Sequence, residues 1–355
     1  MSKCYLCGAE INQQNSSKEH IVPNFLGGKI YSSDLLCKTC NNLSGEFENS
    51  LNEALFFFIS GFNVDRDRGE IPSKKFKTEK GNTVFIGKDL SISKDIIFEK
   101  SGDGKFFISA PNKEKAKNIL EGLKRKYPNI DIDELINRAE VKTEYIDDSV
   151  TFGLEIDENV LKAIVKIIVN YSIYKDINQS ALKQYIDFIK NGGEYDFLKF
   201  YNGRSPFLAD NNNEDNVLSV VSLFSLPNLR KLIGYIQIFD FFKFYIIIDE
   251  NYSGEAVEEN YLFYNKNKLM KVDLNIFEEN FDCIDNLNRF KDELNEVLEK
   301  IMNKQIKKEN ARIVESSIKE IIPDDKTDIS EEDIKQVSGR IVDKFFKFYS
   351  HLIKN

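Results

Sequence analysis

The chain has 355 residues, 41% hydrophobic and 30% charged, a composition that excludes wholesale disorder and points to two or three globular domains. No apolar run is long enough to span a bilayer, and the Met-Ser-Lys-Cys start lacks a signal peptide's basic head and apolar run, so a cytoplasmic protein is expected. The net charge of −9 suits a polyanionic partner poorly, but residues 61–130 carry +6 and residues 131–355 carry −13, so one basic segment stands apart.

Four of the five cysteines form two Cys-x-x-Cys pairs, Cys4/Cys7 and Cys37/Cys40, with 29 residues between them. In a cytoplasmic chain this spacing reads as zinc rather than disulfides. Four thiolates close a tetrahedral site with no open position, so the ion is structural and helps a module too small for a large core. Gly27-Gly28 is predicted to turn a hairpin between the pairs. A helix is predicted to start just after Cys40, with Leu43, Phe47, Leu51, Leu55 and Phe58 on one core-facing stripe and Gly61 as its stop.

Beyond the helix the pattern mixes short elements. Val84–Ile86, Ile96–Phe98, Lys105–Ser109 and Val150–Ile156 read as strands. Helices are predicted over Lys113–Lys126, Ile132–Ala139 and Asn159–Tyr174, the last with Leu161, Ile164, Ile167 and Ile168 inward. Val217–Leu226, Leu232–Phe239 and Phe241–Ile248 read as adjacent antiparallel strands, after an Asn211–Asn213 loop tip. Cys283 stands alone and is expected to be a packing residue. The remainder is helical: one long helix over Asp285–Ile321, and a second opened by a Ser330-Glu-Glu-Asp capping box with Ile334, Val337, Ile341, Phe345 and Tyr349 on one face. The resulting fold class is α+β in three parts: residues 1–60, a larger mixed domain over 61–283, and helices over 284–355.

The first 50 residues carry the chemical signal: Cys-Tyr-Leu-Cys-Gly at 4–8, Lys-Glu-His-Ile-Val-Pro-Asn-Phe-Leu-Gly-Gly-Lys at 18–29, and Cys-Lys-Thr-Cys-Asn-Asn at 37–42. This stretch resembles the zinc-stapled branch of the HNH endonucleases, the ββα-metal (treble-clef-like) nucleases, and extends weakly to Arg66-Asp-Arg68-Gly69. The resemblance implies that His20 is the general base for water, that Glu19 ligates a catalytic Mg²⁺ or Mn²⁺, and that Asn41, or less readily its neighbour Asn42, is the second ligand. That ion would stabilise the leaving 3′ oxygen, giving 5′-phosphate and 3′-hydroxyl ends. Two positions depart from the family pattern: its hairpin Asn is Ser32 or Ser33 here, and a Lys three residues after the metal-site Asn is Ser44. The module's own charge is slightly negative, so grip on DNA is expected from outside it, at Arg66, Arg68, Lys74, Lys75 and Lys77. That basic run reads equally as a solvated face.

One such module cuts one strand, so double-strand breaks imply a homodimer, with the C-terminal helices as its expected seam. Large extra domains in this family point to restriction or anti-phage defence. Two other readings stay open at this level: a nuclease acting on RNA, and a non-catalytic zinc module that binds nucleic acid or protein.

Overall fold

The computed structural model describes residues 2–94, 97–100, 106–110, 113–140, 148–209, 217–264, 269–279, 281, 287–323 and 328–354. Cys283, the Asn211–Asn213 run, and the predicted strand ends Ile96 and Lys105 lie outside these residues. The chain mixes helices and sheets and divides into two compact units, each drawn from two segments: residues 1–71 with 153–305, and residues 72–152 with 306–355. The units therefore do not follow the chain-order division at residues 60 and 283.

The N-terminal segment pairs β1 (Glu19–His20) with β2 (Tyr31–Ser32) as an antiparallel hairpin, then forms α1 (Lys38–Ala54) and α2 (Phe56–Phe62). The predicted single helix is thus two, broken at Leu55, and α1 begins before Cys40 rather than after it. Leu51, Leu55 and Phe58 are buried as expected, but Leu43 is 66% exposed, because the early buried face of α1 runs through Cys40 and Ser44 and leaves Leu43 on the outer side. Gly61 does not stop the helix; Asn63 does, in the left-handed conformation. Gly61 instead lies against Ile301, where a β-carbon would come within 2.8 Å of that side chain. Gly27 caps a short 3₁₀ turn over Asn24–Leu26 with φ of 91°, placing the glycine pair within the long β1–β2 connection.

The second unit opens with the antiparallel sheet β3 (Lys74–Lys77), β4 (Thr83–Ile86) and β5 (Ile92–Lys94), the hairpin β6 (Ile97–Lys100) and β7 (Phe106–Ser109), and helices α3 (Lys113–Lys124) and α4 (Ile132–Arg138). The predicted strand at Val150–Ile156 is irregular chain. Phe152 packs its ring on Phe76 at 5.2 Å, so the alternation there records side-chain packing without a strand partner.

The first unit resumes with α5 (Glu158–Tyr174), α6 (Lys183–Asn191), β8 (Lys199–Phe200), β9 (Phe207–Ala209), β10 (Ser219–Leu226), β11 (Lys231–Ile238), β12 (Phe242–Asp249), β13 (Glu258–Tyr264), β14 (Leu269–Val272) and α7 (Leu274–Glu279). The main sheet is antiparallel in the order β13-β10-β11-β12-β8. Its central strands are almost continuously buried because both faces are covered, with Ser219, Ser222, Ser225, Gln237 and Lys243 as buried polar residues among apolar ones. One face holds an aromatic cluster around the fully buried Phe277, which stacks on Tyr201 at 4.6 Å. The other face takes α5, and Gly234 on β11 permits the approach: a β-carbon there would lie 2.5 Å from Ile168. The opposite side of α5 packs against α1, so α5 lies between the cysteine-bearing segment and the sheet.

Helix α8 (Leu287–Ile321) runs from the first unit into the second, where α9 (Glu331–Lys354) follows. The Ser330 capping box forms as predicted: Asp333 N–H donates to Ser330 Oγ at 3.2 Å, and Ser330 N–H to the Asp333 carboxylate at 2.9 Å. On α9 Val337 and Phe348 are buried, whereas Ile334 and Tyr349 are exposed, so the buried stripe is rotated from the predicted one. Among the described residues no helix is long and apolar enough to cross a membrane.

Candidate nuclease site

The four cysteines converge because two backbone devices aim them. At the first pair, Gly8 adopts φ of 73° and its N–H donates to Cys4 O at 2.8 Å, folding a tight knuckle. At the second, Cys37 caps α1 and Cys40 lies in its first turn. All four sulfurs fall within 4.8 Å of one another. Cys7 Sγ and Cys37 Sγ are 3.8 Å apart, matching the edge of a tetrahedron with Zn–S bonds of about 2.3 Å. The Cys40 backbone N–H brings the Cys37 thiol down to about 7, while burial pushes the Cys40 thiol up. The donor set and spacing fit a closed zinc centre.

His20 lies opposite Tyr31 in the hairpin register, and the two rings meet edge to face at 6.1 Å. Its side chain is 12% exposed, and Nε2 faces the Asp67 carboxylate at 3.6 Å, too long for a hydrogen bond. Nε2 finds no other partner among the described residues. Asp67 is held there by Asn24, whose Oδ1 accepts the Asp67 N–H at 2.8 Å and whose Nδ2 donates to Arg68 O at 2.8 Å. Asn24 and Asp67 were not picked out as site residues from the sequence. The signal was present in Pro23-Asn24, since an Asn in a tight turn commonly anchors backbone elsewhere.

Glu19 points the opposite way, as neighbouring strand residues do. Its carboxylate is 2% exposed and belongs to a buried network supplied by α5. The Lys166 ammonium donates to Glu19 Oε1 and, at 2.7 Å, to Glu48 Oε1 on α1. Asn170, one turn on, donates to Glu19 Oε1 at 2.9 Å and to His20 O at 3.4 Å, and accepts from Tyr5 Oη at 2.7 Å. Burial alone lowers the Lys166 pKa, but the two carboxylates more than offset it and hold the ammonium above its ordinary value. A divalent ion at Glu19 does not fit this arrangement, because Oε1 already serves an ammonium and an amide inside the protein. Among the described residues, only the four cysteines form a cluster of three or more Cys, His, Asp or Glu around one potential ion position.

The remaining site candidates are dispersed. Asn41 is half-buried in the first turn of α1, and Asn42 is exposed. Ser44, where the family pattern has Lys, is buried and donates to Asn41 O at 2.8 Å. Ser32 Oγ accepts the Asp34 N–H at 3.2 Å, bracing the hairpin locally. Arg66 gives Nη1 to Glu70 O at 3.3 Å, while its buried Nε and Nη2 have no hydrogen-bond partner among the described residues. Arg68 is exposed beside it. Lys75 and Lys77 project from one face of β3 into solvent, and Lys74, on the other face, is half-buried. Arg66 and Arg68 belong to the first unit and the three lysines to the second.

The HNH endonuclease family model matches residues 4–54, the stretch that holds the four cysteines, Glu19, His20 and Asn41. That family implies nuclease activity on a nucleic-acid substrate. Neither the curated proteins nor the solved structures gave a match to the chain.

Proposed function

We propose that the N-terminal module is an endonuclease that hydrolyses DNA phosphodiester bonds, with His20 as the general base. The observation that carries this reading is His20 itself, a largely buried imidazole with an unpaired Nε2 in the matched hairpin. A structural histidine satisfies its ring nitrogens; this one faces a carboxylate without bonding it. Asp67, held by Asn24, sets a negative charge 3.6 Å from Nε2, and Nδ1 is left to take a proton from water.

Arg66 supplies the second argument. Burial lowers its pKa from the ordinary value, and a desolvated guanidinium with two idle donors is costly unless an anion completes it. A backbone phosphate is such an anion; Arg68 is exposed on the same loop, and Lys75 and Lys77 are an exposed basic pair of the second unit taken by itself. Zinc on the four cysteines holds the fold and takes no part in the reaction. The Mg²⁺ or Mn²⁺ expected at Glu19 and Asn41 enters no step of this reading, because Lys166 holds Glu19.

A double-strand break needs two modules, and the exposed Val342 and Phe346 on α9 support pairing of two copies there. Restriction or anti-phage defence is the role we assign to such an enzyme, inside the cell. The competing reading, a non-catalytic zinc module, is favoured by one observation, the engagement of Glu19 by Lys166. Purified protein incubated with supercoiled plasmid and with DNA and RNA oligonucleotides separates these readings. Nicking of plasmid is expected; cleavage of RNA alone would change the substrate, and no cleavage under any divalent ion would sink the enzyme reading.

A further inference from the structure

We propose that Glu19 and Glu48 form a cation site whose resident cation is the Lys166 ammonium, so that a divalent ion reaches Glu19 only in exchange for that side chain. The proposal rests on Glu19 being the module's metal carboxylate, and its test reads ion binding rather than cleavage, so the two can fail separately.

The geometry is that of one cation between two carboxylates. Lys166 Nζ contacts Glu19 Oε1 and stands 2.7 Å from Glu48 Oε1, with the Asn170 amide completing Glu19. Among the described residues no other charged side chain makes a hydrogen bond or ion pair to the trio, so two carboxylates and one ammonium leave it at −1. A divalent ion in place of the ammonium would bring the two carboxylates to neutrality, so it is the Lys166 head, and not the carboxylate pair, that keeps such an ion out. The site has an open side: Glu48 is 27% exposed, whereas Glu19 and Lys166 are 2% exposed. The flexible four-carbon stem of Lys166 allows its head to withdraw while the helix stays in place.

Lys166 also belongs to a pattern. Lys162, Lys166 and Asn170 recur every four residues on α5, whose other buried positions are mostly apolar. Lys162 lies over the Phe47 ring at 5.4 Å, so all three polar residues face the cysteine-bearing segment. This stripe makes α5 a part of the site: it sets whether Glu19 is available, and Asn170 holds the backbone of the base.

The test uses the full-length, zinc-loaded chain, titrated with Mn²⁺ while free ion is followed by electron paramagnetic resonance. Wild type and Glu19→Gln are expected to give the same titration, because Lys166 masks Glu19. Lys166→Met should bind Mn²⁺ at least about tenfold more tightly, and Lys166→Met/Glu48→Gln should lose the gain. Folding of Lys166→Met only when Mn²⁺ is present would be the same result read as stability. A folded Lys166→Met with no gain would overturn the proposal. Should that variant fail to fold with or without ion, the wild-type pair decides: a Mn²⁺ site in wild type that Glu19→Gln removes would overturn it as well.

Discussion

Arg66 is the residue whose surroundings say most about substrate. Its buried Nε and Nη2 have no hydrogen-bond partner among the described residues, and Nη1 donates to the neutral Glu70 carbonyl, so the guanidinium is open to an anion. Arg66→Gln should weaken binding to duplex DNA and reduce the log–log salt slope by about 0.9, the loss of one phosphate contact. Replacing Lys75 and Lys77 by Glu tests the other basic surface by the same titration. An unchanged slope would mark β3 as a solvated face and leave the contact to the Arg66 loop. At this scale the cysteine cluster was legible because its spacing is local. Lys166 was not: its partner Glu19 lies 147 residues away, and only the fold brings them together.

Among the elements, α5 decides most. Its apolar residues announce a buried helix, and the spacing of Leu161, Ile164, Ile167 and Ile168 predicts one inward face, whereas nearly the whole circumference is buried. The polar spacing of Lys162, Lys166 and Asn170 was the available signal that a second element covers the opposite side. Gly234 is the point where the helix rests on the sheet. Gly234→Ala should force Ile168 away and cost on the order of 1–3 kcal/mol, read by urea denaturation. A neutral result would mean that α5 and β11 adjust without strain. Elsewhere, β10, β11 and β12 were legible because continuous apolar runs admit little else at that length. Val150–Ile156 was misread because alternation of apolar residues does not itself provide a strand partner. Ile334 and Tyr349 were misassigned on α9 for a related reason: a helix with apolar residues on several sides does not declare which stripe is covered.

At the scale of the whole molecule, the four-cysteine cluster is part of the first unit. The segment 1–71 packs in one unit with residues 153–305, so loss of the metal should be felt beyond the module. One zinc per chain is expected by elemental analysis. Cys37→Ser should lose it and unfold the N-terminal segment, since structural zinc contributes about 10–16 kcal/mol of apparent binding energy. Full retention of fold without zinc would contradict the role given to the four cysteines. Both units are discontinuous in sequence, which no local change of composition announces, so they cut the chain differently from the division at residues 60 and 283.

The central claim is that His20 performs the chemistry, and single-turnover cleavage by His20→Ala tests it most directly, with zinc content and DNA affinity measured on the same preparation. The variant should keep its zinc and bind DNA as wild type does, because His20 is neither a zinc ligand nor a phosphate anchor in this reading. Its cleavage rate should fall at least about 10²-fold, and added Mg²⁺ or Mn²⁺ should not restore it. A His20→Ala protein that retains zinc and still cuts at the wild-type rate would contradict the claim.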